Sequence, residues 1–235
     1  MPEIKNPAKK NSSGRKEYWR SNIKAFTRFY DRISEENIDA PWPVSWLYKR
    51  FVFPVEKRYM SVRYDMVCEY INRRVSREMK VADIGCGGGI YTRMMVNRGA
   101  FVFAIDYAPE ALRLTRDGLT EQEIKSVSFF ELDVANTAIP ESDAAIAIGV
   151  LTYTDDYMSF FNNILPRTKS LLFNFLSKRH PVNVIRRICT FLDVRKYSYL
   201  DPATVEKEIV SRGFRIVRRS PLATGIMLEV ERKGI

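Results

Sequence analysis

The segment Val81-Ala-Asp83-Ile-Gly85-Cys86-Gly87-Gly-Gly89 constrains this chain more than any other. A short apolar run ends in four glycines within five positions, and a helical pattern follows. Glycine is required where a backbone must turn tightly and let another molecule approach with no Cβ in the way. A buried strand that runs into such a turn and then opens a helix reads as the phosphate- or nucleoside-facing corner of a βαβ unit. Taken alone, the same run also suits a tight turn with no ligand at all.

Two further strand ends decide between these readings. Ile105-Asp106 lies 21 residues beyond Gly85, where a carboxylate at the tip of the neighbouring strand can accept both hydroxyl hydrogens of a ribose. Leu132-Asp133-Val134 closes a third apolar run, and its acid can accept from an adenine amino group while the next amide donates to a ring nitrogen. Open α/β sheets bind ligands at the carboxyl ends of their strands, so these residues are expected to line one mouth.

The rest of the chain supports such a sheet. Apolar runs at Val81–Ile84, Ala100–Ile105, Val127–Leu132, Asp143–Gly149 and Ser170–Leu176 alternate with helical spacing at 91–97, 109–114 and 157–165, which predicts parallel βαβ units. Asp201 before Pro202 starts a helix ended by Gly213, and two last strands follow at 214–219 and 226–231. Ahead of this part, Trp19, Ile23, Phe26, Tyr30 and Ile33 share one helical stripe, and Met60, Tyr64, Val67, Ile71 and Val75 share another.

Composition narrows the function classes. At 235 residues with 46% apolar and 28% charged residues, the chain has material for a full core, and a disordered or collagen-like chain is excluded. Three cysteines and one histidine support neither a zinc site nor a disulfide framework, so no metal and a reducing, cytoplasmic location are expected. No apolar run is long enough to span a membrane. The net charge of +10 is uneven: residues 81–160 hold five Lys/Arg against twelve acids, whereas residues 178–196 hold six against one. Basic flanks around an acidic centre suit an anionic partner, and solvated faces would look the same. In segment 42–58, Trp42, Trp46, Tyr48, Phe51 and Phe53 interleave with Lys49, Arg50, Lys57 and Arg58; this suits either a lid or a peripheral contact with anionic lipid.

The motifs Asp83-Ile-Gly-Cys-Gly-Gly-Gly89, Ile105-Asp106-Tyr-Ala-Pro-Glu-Ala-Leu112, Leu132-Asp133-Val134 and Ala145-Ile-Ala-Ile-Gly-Val-Leu-Thr-Tyr153 resemble, in order and spacing, those of class I S-adenosylmethionine-dependent methyltransferases over residues 80–234. The resemblance implies a doubly wound, mostly parallel seven-stranded sheet with an antiparallel last strand. It implies S-adenosylmethionine as cofactor, with Asp83, Gly85, Cys86 and Gly87 beside its methionine part and Asp106 on the ribose. Tyr107 would lie against the adenine, Asp133 and Val134 at its edge, and Ile148, Gly149 and Val150 at the pocket floor. A dinucleotide-binding oxidoreductase shares the first strand, turn and acid, but its third glycine would fall at Ile90 and no Tyr-x-x-x-Lys pair follows the fourth strand.

The acceptor class rests on residue types. The Asn/Asp-Pro-Pro-aromatic motif of family members that methylate amino groups of adenine, cytosine or glutamine is replaced by Ile148-Gly-Val-Leu-Thr-Tyr153, which favours O- or N-methylation of a small molecule. His180, just past the fifth strand, is the candidate general base. Tyr30 and Tyr153 are candidate lid or substrate residues, and Arg179 would meet a carboxylate or phosphate on the acceptor. The expected organisation is a disordered basic tail at 1–16, an N-terminal helical lid at 17–79, and a cofactor-binding domain at 80–235 with a cap insert at 177–200. The rhythm is similar to that of magnesium-protoporphyrin O-methyltransferases, with no substrate carried over. Methylation of RNA through the basic flanks, and cofactor binding without catalysis, remain alternatives.

Overall fold

The computed structural model describes residues 53–188 and 197–234, together with Trp42, Trp46 and Arg50. The tail at 1–16, the stripe containing Tyr30 and the middle of the insert lie outside the described residues.

The apolar runs form strands β1 (Lys80–Ile84), β2 (Phe101–Asp106), β3 (Val127–Glu131), β4 (Ser142–Ala147) and β5 (Thr168–Ser177). Helices α2 (Ile90–Asn97), α3 (Pro109–Asp117), α4 (Glu121–Ile124) and α5 (Tyr157–Ile164) alternate with them. Beyond β5 come α6 (Pro181–Ile188), the two-residue β6 (Tyr199–Leu200), α7 (Pro202–Ser211), β7 (Phe214–Leu222) and β8 (Gly225–Arg232). The spatial order is β3-β2-β1-β4-β5-β8-β7, with β6 paired separately to β5. The first five strands are parallel, and β8 runs antiparallel to both β5 and β7. The expected seven strands are therefore this path, and β6 is an eighth that lies inside the insert.

Burial explains why these runs are strands. Ala145, Ala147, Phe173 and Phe175 enter one cluster with Phe160, Phe161 and Ile164 of α5 and Val205 and Ile209 of α7. Ala144, Ile146 and Leu172 point the other way, into a cluster with Tyr91, Met95 and Val96 of α2. Residues of both parities are buried, so the strands read as continuous rather than alternating apolar runs.

Helix α1 (Phe53–Arg74) completes the second layer. Val67 and Ile71 of the predicted stripe, with Tyr70 beside them and Val75 just past the helix end, are fully buried against the sheet, so this stretch of the 17–79 segment is part of the domain's own core. Its last turn is pinned by charge: Arg73 donates to both carboxylate oxygens of Glu229 on β8 at 3.0 and 2.5 Å, and Arg74 Nε donates to Glu229 Oε1 at 2.9 Å. Arg74 also pairs with Glu231, and Tyr70 and Ser170 hydroxyls share a hydrogen bond of 3.0 Å. Arg73 and Arg74 thus serve a buried acid of the same chain. No helix among the described residues is long and apolar enough to cross a membrane.

Candidate active site

Strand register brings the predicted acids and glycines to one edge. Asp83 sits opposite Ala104 and Ile84 opposite Ile105, so β1 turns at the level where β2 ends. The turn is fastened by Gly85 and Cys86 amides donating to Ile105 O at 2.7 and 3.1 Å. Gly85, Gly87 and Gly89 all adopt left-handed φ values of 70°, 57° and 77°, the region where a Cβ is disfavoured. A Cβ on Gly85 would stand 2.5 Å from Val150 Cγ2, which shows how closely the β4 loop approaches the glycine turn.

Asp106 ties this turn to the second strand. Its Oδ2 accepts from Gly87 N at 3.2 Å and its Oδ1 from Ala108 N at 3.0 Å. A carboxylate has about four acceptor positions, so these amide bonds do not exhaust the acceptor capacity of Asp106. Burial pushes the Asp106 carboxyl up to about 6, against the pull of the Ala108 and Gly87 amides. Asp83 is deeper still: burial pushes it up to about 7, opposed by a 2.6 Å bond from Thr92 Oγ1 and aided by the charge of Asp106. Cys86 is buried and held well above the ordinary thiol range, first by desolvation and then by Asp83 and Asp106, so it stays a neutral thiol.

The remaining predicted residues divide. Ile148, Gly149 and Val150 fall past the end of β4, half-buried, where the sequence placed the end of a strand. Tyr107 is half-buried against Ala108 and Ala111 of the α3 start, and Val134 is buried. Asp133 caps its own turn, accepting from Ala135 N at 3.1 Å and Asn136 Nδ2 at 2.8 Å. Tyr153 ends a short 3-10 turn (Leu151–Tyr153) and meets the Tyr197 ring at 5.7 Å, where Ser198 N donates to Thr152 O at 2.8 Å. The returning end of the insert therefore lies over the β4 loop.

At β5, His180 is half-buried at the head of α6, its carbonyl accepting from Asn183 N and Val184 N. Its Nδ1 is buried, and no hydrogen bond reaches it among the described residues. Arg179 pairs with Asp201, Nε to Oδ2 at 2.5 Å, while Asp201 also caps α7 through Thr204 N. That guanidinium is thus held at the α7 start. Among the described residues, no group of three or more His, Cys, Asp or Glu could hold a metal.

Two residues at the mouth were not singled out from the sequence. Asn174, 2% exposed, accepts from Gly149 N at 2.7 Å and fixes the left-handed Gly149 corner. An amide inside the apolar run Leu171–Leu176 was the available signal. Arg63 of α1 lies beside the same corner, its Nη1 4.0 Å from where a Gly149 Cβ would be. Only the three-dimensional packing of α1 reveals it.

Comparison with known proteins agrees with this fold. Residues 81–170 match the family described as a methyltransferase domain. A magnesium-protoporphyrin O-methyltransferase of Rhodobacter capsulatus is 35% identical over 74 residues, 32% of this chain and 33% of that protein. A ubiquinone biosynthesis O-methyltransferase of Alkalilimnicola ehrlichii is 25% identical over 180 residues, 68% of this chain and 72% of that protein. The first of these matches spans only about a third of its relative's length. Among solved structures, magnesium protoporphyrin IX methyltransferase from Synechocystis with bound SAH superposes with a TM-score of 0.67 at 18% identity, covering 95% of this chain and 100% of that one. An S-adenosylmethionine-dependent methyltransferase from Mesorhizobium loti gives 0.58 at 15% identity, covering 70% and 95%. At these identities the structural likeness speaks for the fold alone.

Proposed function

We infer that this chain, whose residues 81–170 match the methyltransferase-domain family, is a class I S-adenosylmethionine-dependent methyltransferase that transfers a methyl group from S-adenosylmethionine to an oxygen or nitrogen of a small-molecule acceptor. The observation that carries the reading is the left-handed Gly85–Gly87 turn, bonded to Ile105 and laid against the buried carboxylate of Asp106 at the strand ends. Bound there, the cofactor supplies a methyl group on a sulfonium, whose leaving group needs no further activation.

What the protein must add is placement, since aligning nucleophile, methyl carbon and sulfur supplies much of the rate. Asp106 holds the ribose hydroxyls, Asp83 and the Gly85–Gly87 backbone hold the methionine end, and Tyr107, Asp133 and Val134 border the adenine. Ile148, Gly149 and Val150 form the floor, braced by Asn174. His180, half-buried just past β5, takes the proton of a hydroxyl acceptor. An oxygen acceptor is favoured by the O-methyltransferase names of the relatives. Lys178, Arg186 and Arg187, with no acid between Ser177 and Ile188, suit an anionic acceptor, and the exposed Trp42 and Trp46 suit a peripheral contact of segment 42–58 with a membrane surface.

Calorimetry with S-adenosylhomocysteine tests the cofactor site directly. Wild-type protein is expected to bind one equivalent, and Asp106→Ala to weaken binding by roughly 1–3 kcal/mol, the range for losing a buried hydrogen-bonding partner. No binding by the wild type would overturn the reading. Labelled cofactor incubated with fractionated cell extract then identifies the acceptor fraction.

A further inference from the structure

Helix α6 is built the wrong way round for a helix that covers a core. Its one buried residue is polar: Asn183 has no exposed surface, and its Nδ2 donates to Ser177 O at 2.8 Å and Thr224 O at 2.7 Å. That amide clamps the helix to the end of β5 and to the β7–β8 turn. Meanwhile Val182, Val184, Ile185 and Ile188 are 41%, 37%, 54% and 76% exposed. At about 100° per residue these four fall within one arc of roughly 160°, with Arg186 and Arg187 at its two borders and Asn183 opposite.

An outward aliphatic stripe edged by arginines is the arrangement of a helix that lies in a bilayer interface, its apolar side chains among acyl chains and its cations at the headgroups. Charge selects the surface. Arg179 is paired with Asp201, but Lys178, Arg186 and Arg187 occur with no acid between Ser177 and Ile188, so attraction to anionic headgroups adds to the apolar term. We propose that α6 docks the protein on an anionic lipid surface through Val182, Ile185 and Ile188, with Arg186 and Arg187 at the headgroups. Because α6 leaves the carboxyl end of β5, docking brings the mouth of the sheet next to the membrane. The surface is separate from segment 42–58, and the inference stands independently of the methyl-transfer reading.

The test is cosedimentation of the full chain with vesicles of phosphatidylcholine alone or mixed with phosphatidylglycerol. Wild type is expected to pellet with the anionic vesicles at low salt, to release at high salt, and to stay in solution with neutral ones. The double variant Ile185→Glu, Ile188→Glu is expected to lose roughly tenfold or more of the partitioning, since two carboxylates then face the headgroups. Both positions are exposed, so its melting temperature and S-adenosylhomocysteine affinity are expected to match wild type. Failure of the wild type to pellet with anionic vesicles would overturn the proposal. So would undiminished pelleting of the variant, or a wild-type self-association in sedimentation velocity that the variant abolishes, which would assign the stripe to a second copy of this chain.

Discussion

Two carboxyl groups at the mouth, Asp83 and Asp106, sit 2% and 3% exposed and titrate near neutrality, at about 7 and about 6. Both folded values are raised above the unfolded one. Such groups stabilise the fold relative to the unfolded chain at low pH, and this contribution is lost as pH rises from about 4 through about 7, where the unfolded carboxyls ionise and the folded ones resist. Asp83→Asn removes the deeper of the two while leaving an amide oxygen for the Thr92 hydroxyl. The variant is expected to flatten the decline in chemical-denaturation stability across this window by on the order of a few kcal/mol; an unchanged slope would place the titration elsewhere. Ligand linkage has the opposite sign. Ribose hydroxyls donate to ionised Asp106, so binding favours the deprotonated form and releases protons below about pH 6. The affinity for S-adenosylhomocysteine is expected to rise with pH through that value, and calorimetry in buffers of different ionisation enthalpy should register the released protons in wild type but not in Asp106→Asn.

The glycine turn separates conformational from steric demand. Gly85 and Gly87 both have left-handed backbones, yet a Cβ at Gly85 would collide with Val150 while one at Gly87 meets only Gly85 O at 3.9 Å. Gly87→Ala therefore carries the left-handed cost alone, about 1–2 kcal/mol, whereas Gly85→Ala must also push the β4 loop outward. Thermal melts should rank Gly85→Ala below Gly87→Ala, and the reverse order would mean that Val150 yields freely. The same scale shows what was legible beforehand. The strands could be read because residues of both parities are buried, giving short unbroken apolar runs. Helix α4 carried a usable signal in Thr120-x-x-Glu123, whose reciprocal capping bonds are formed. Helix α6 defeats the pattern, since periodicity arguments assume that the apolar face turns inward and here only Asn183 does. The two-residue β6 is too short to carry any period. Asp106 at a strand tip was visible from spacing alone, but the local turn that occupies Asp133, and the engagement of Arg179 by Asp201, depend on side-chain directions that spacing does not encode.

At the scale of the whole molecule, the longest sequence separations among the described residues close at α1. Arg73 and Arg74 reach Glu229, 156 and 155 residues away, and Glu229 is 2% exposed while the two arginine side chains are 41% and 29% exposed. The acid is thus the buried partner, and the cations keep part of their hydration. Glu229→Gln keeps the shape but loses the charge-assisted bonds, which are worth about 1.5–3 kcal/mol where a charged group is involved; the partial exposure of the arginines puts the expected loss toward the lower end. Cofactor binding acts on the same folding equilibrium from the other edge. A ligand that binds only the folded chain, at about 100 times its dissociation constant, adds about 2.7 kcal/mol. Glu229 pairs across β8 with Leu172 in the interior of β5, away from the strand ends that carry Asp106, so the two effects should add. S-adenosylhomocysteine is then expected to stabilise Glu229→Gln by the same increment as wild type in denaturant melts, each at matched saturation. At the ligand concentration used for wild type, Asp106→Asn should gain less, because its sites are less filled. A smaller increment in Glu229→Gln at matched saturation would show that the α1–β8 clasp and the mouth are energetically coupled, and that loosening one reshapes the other.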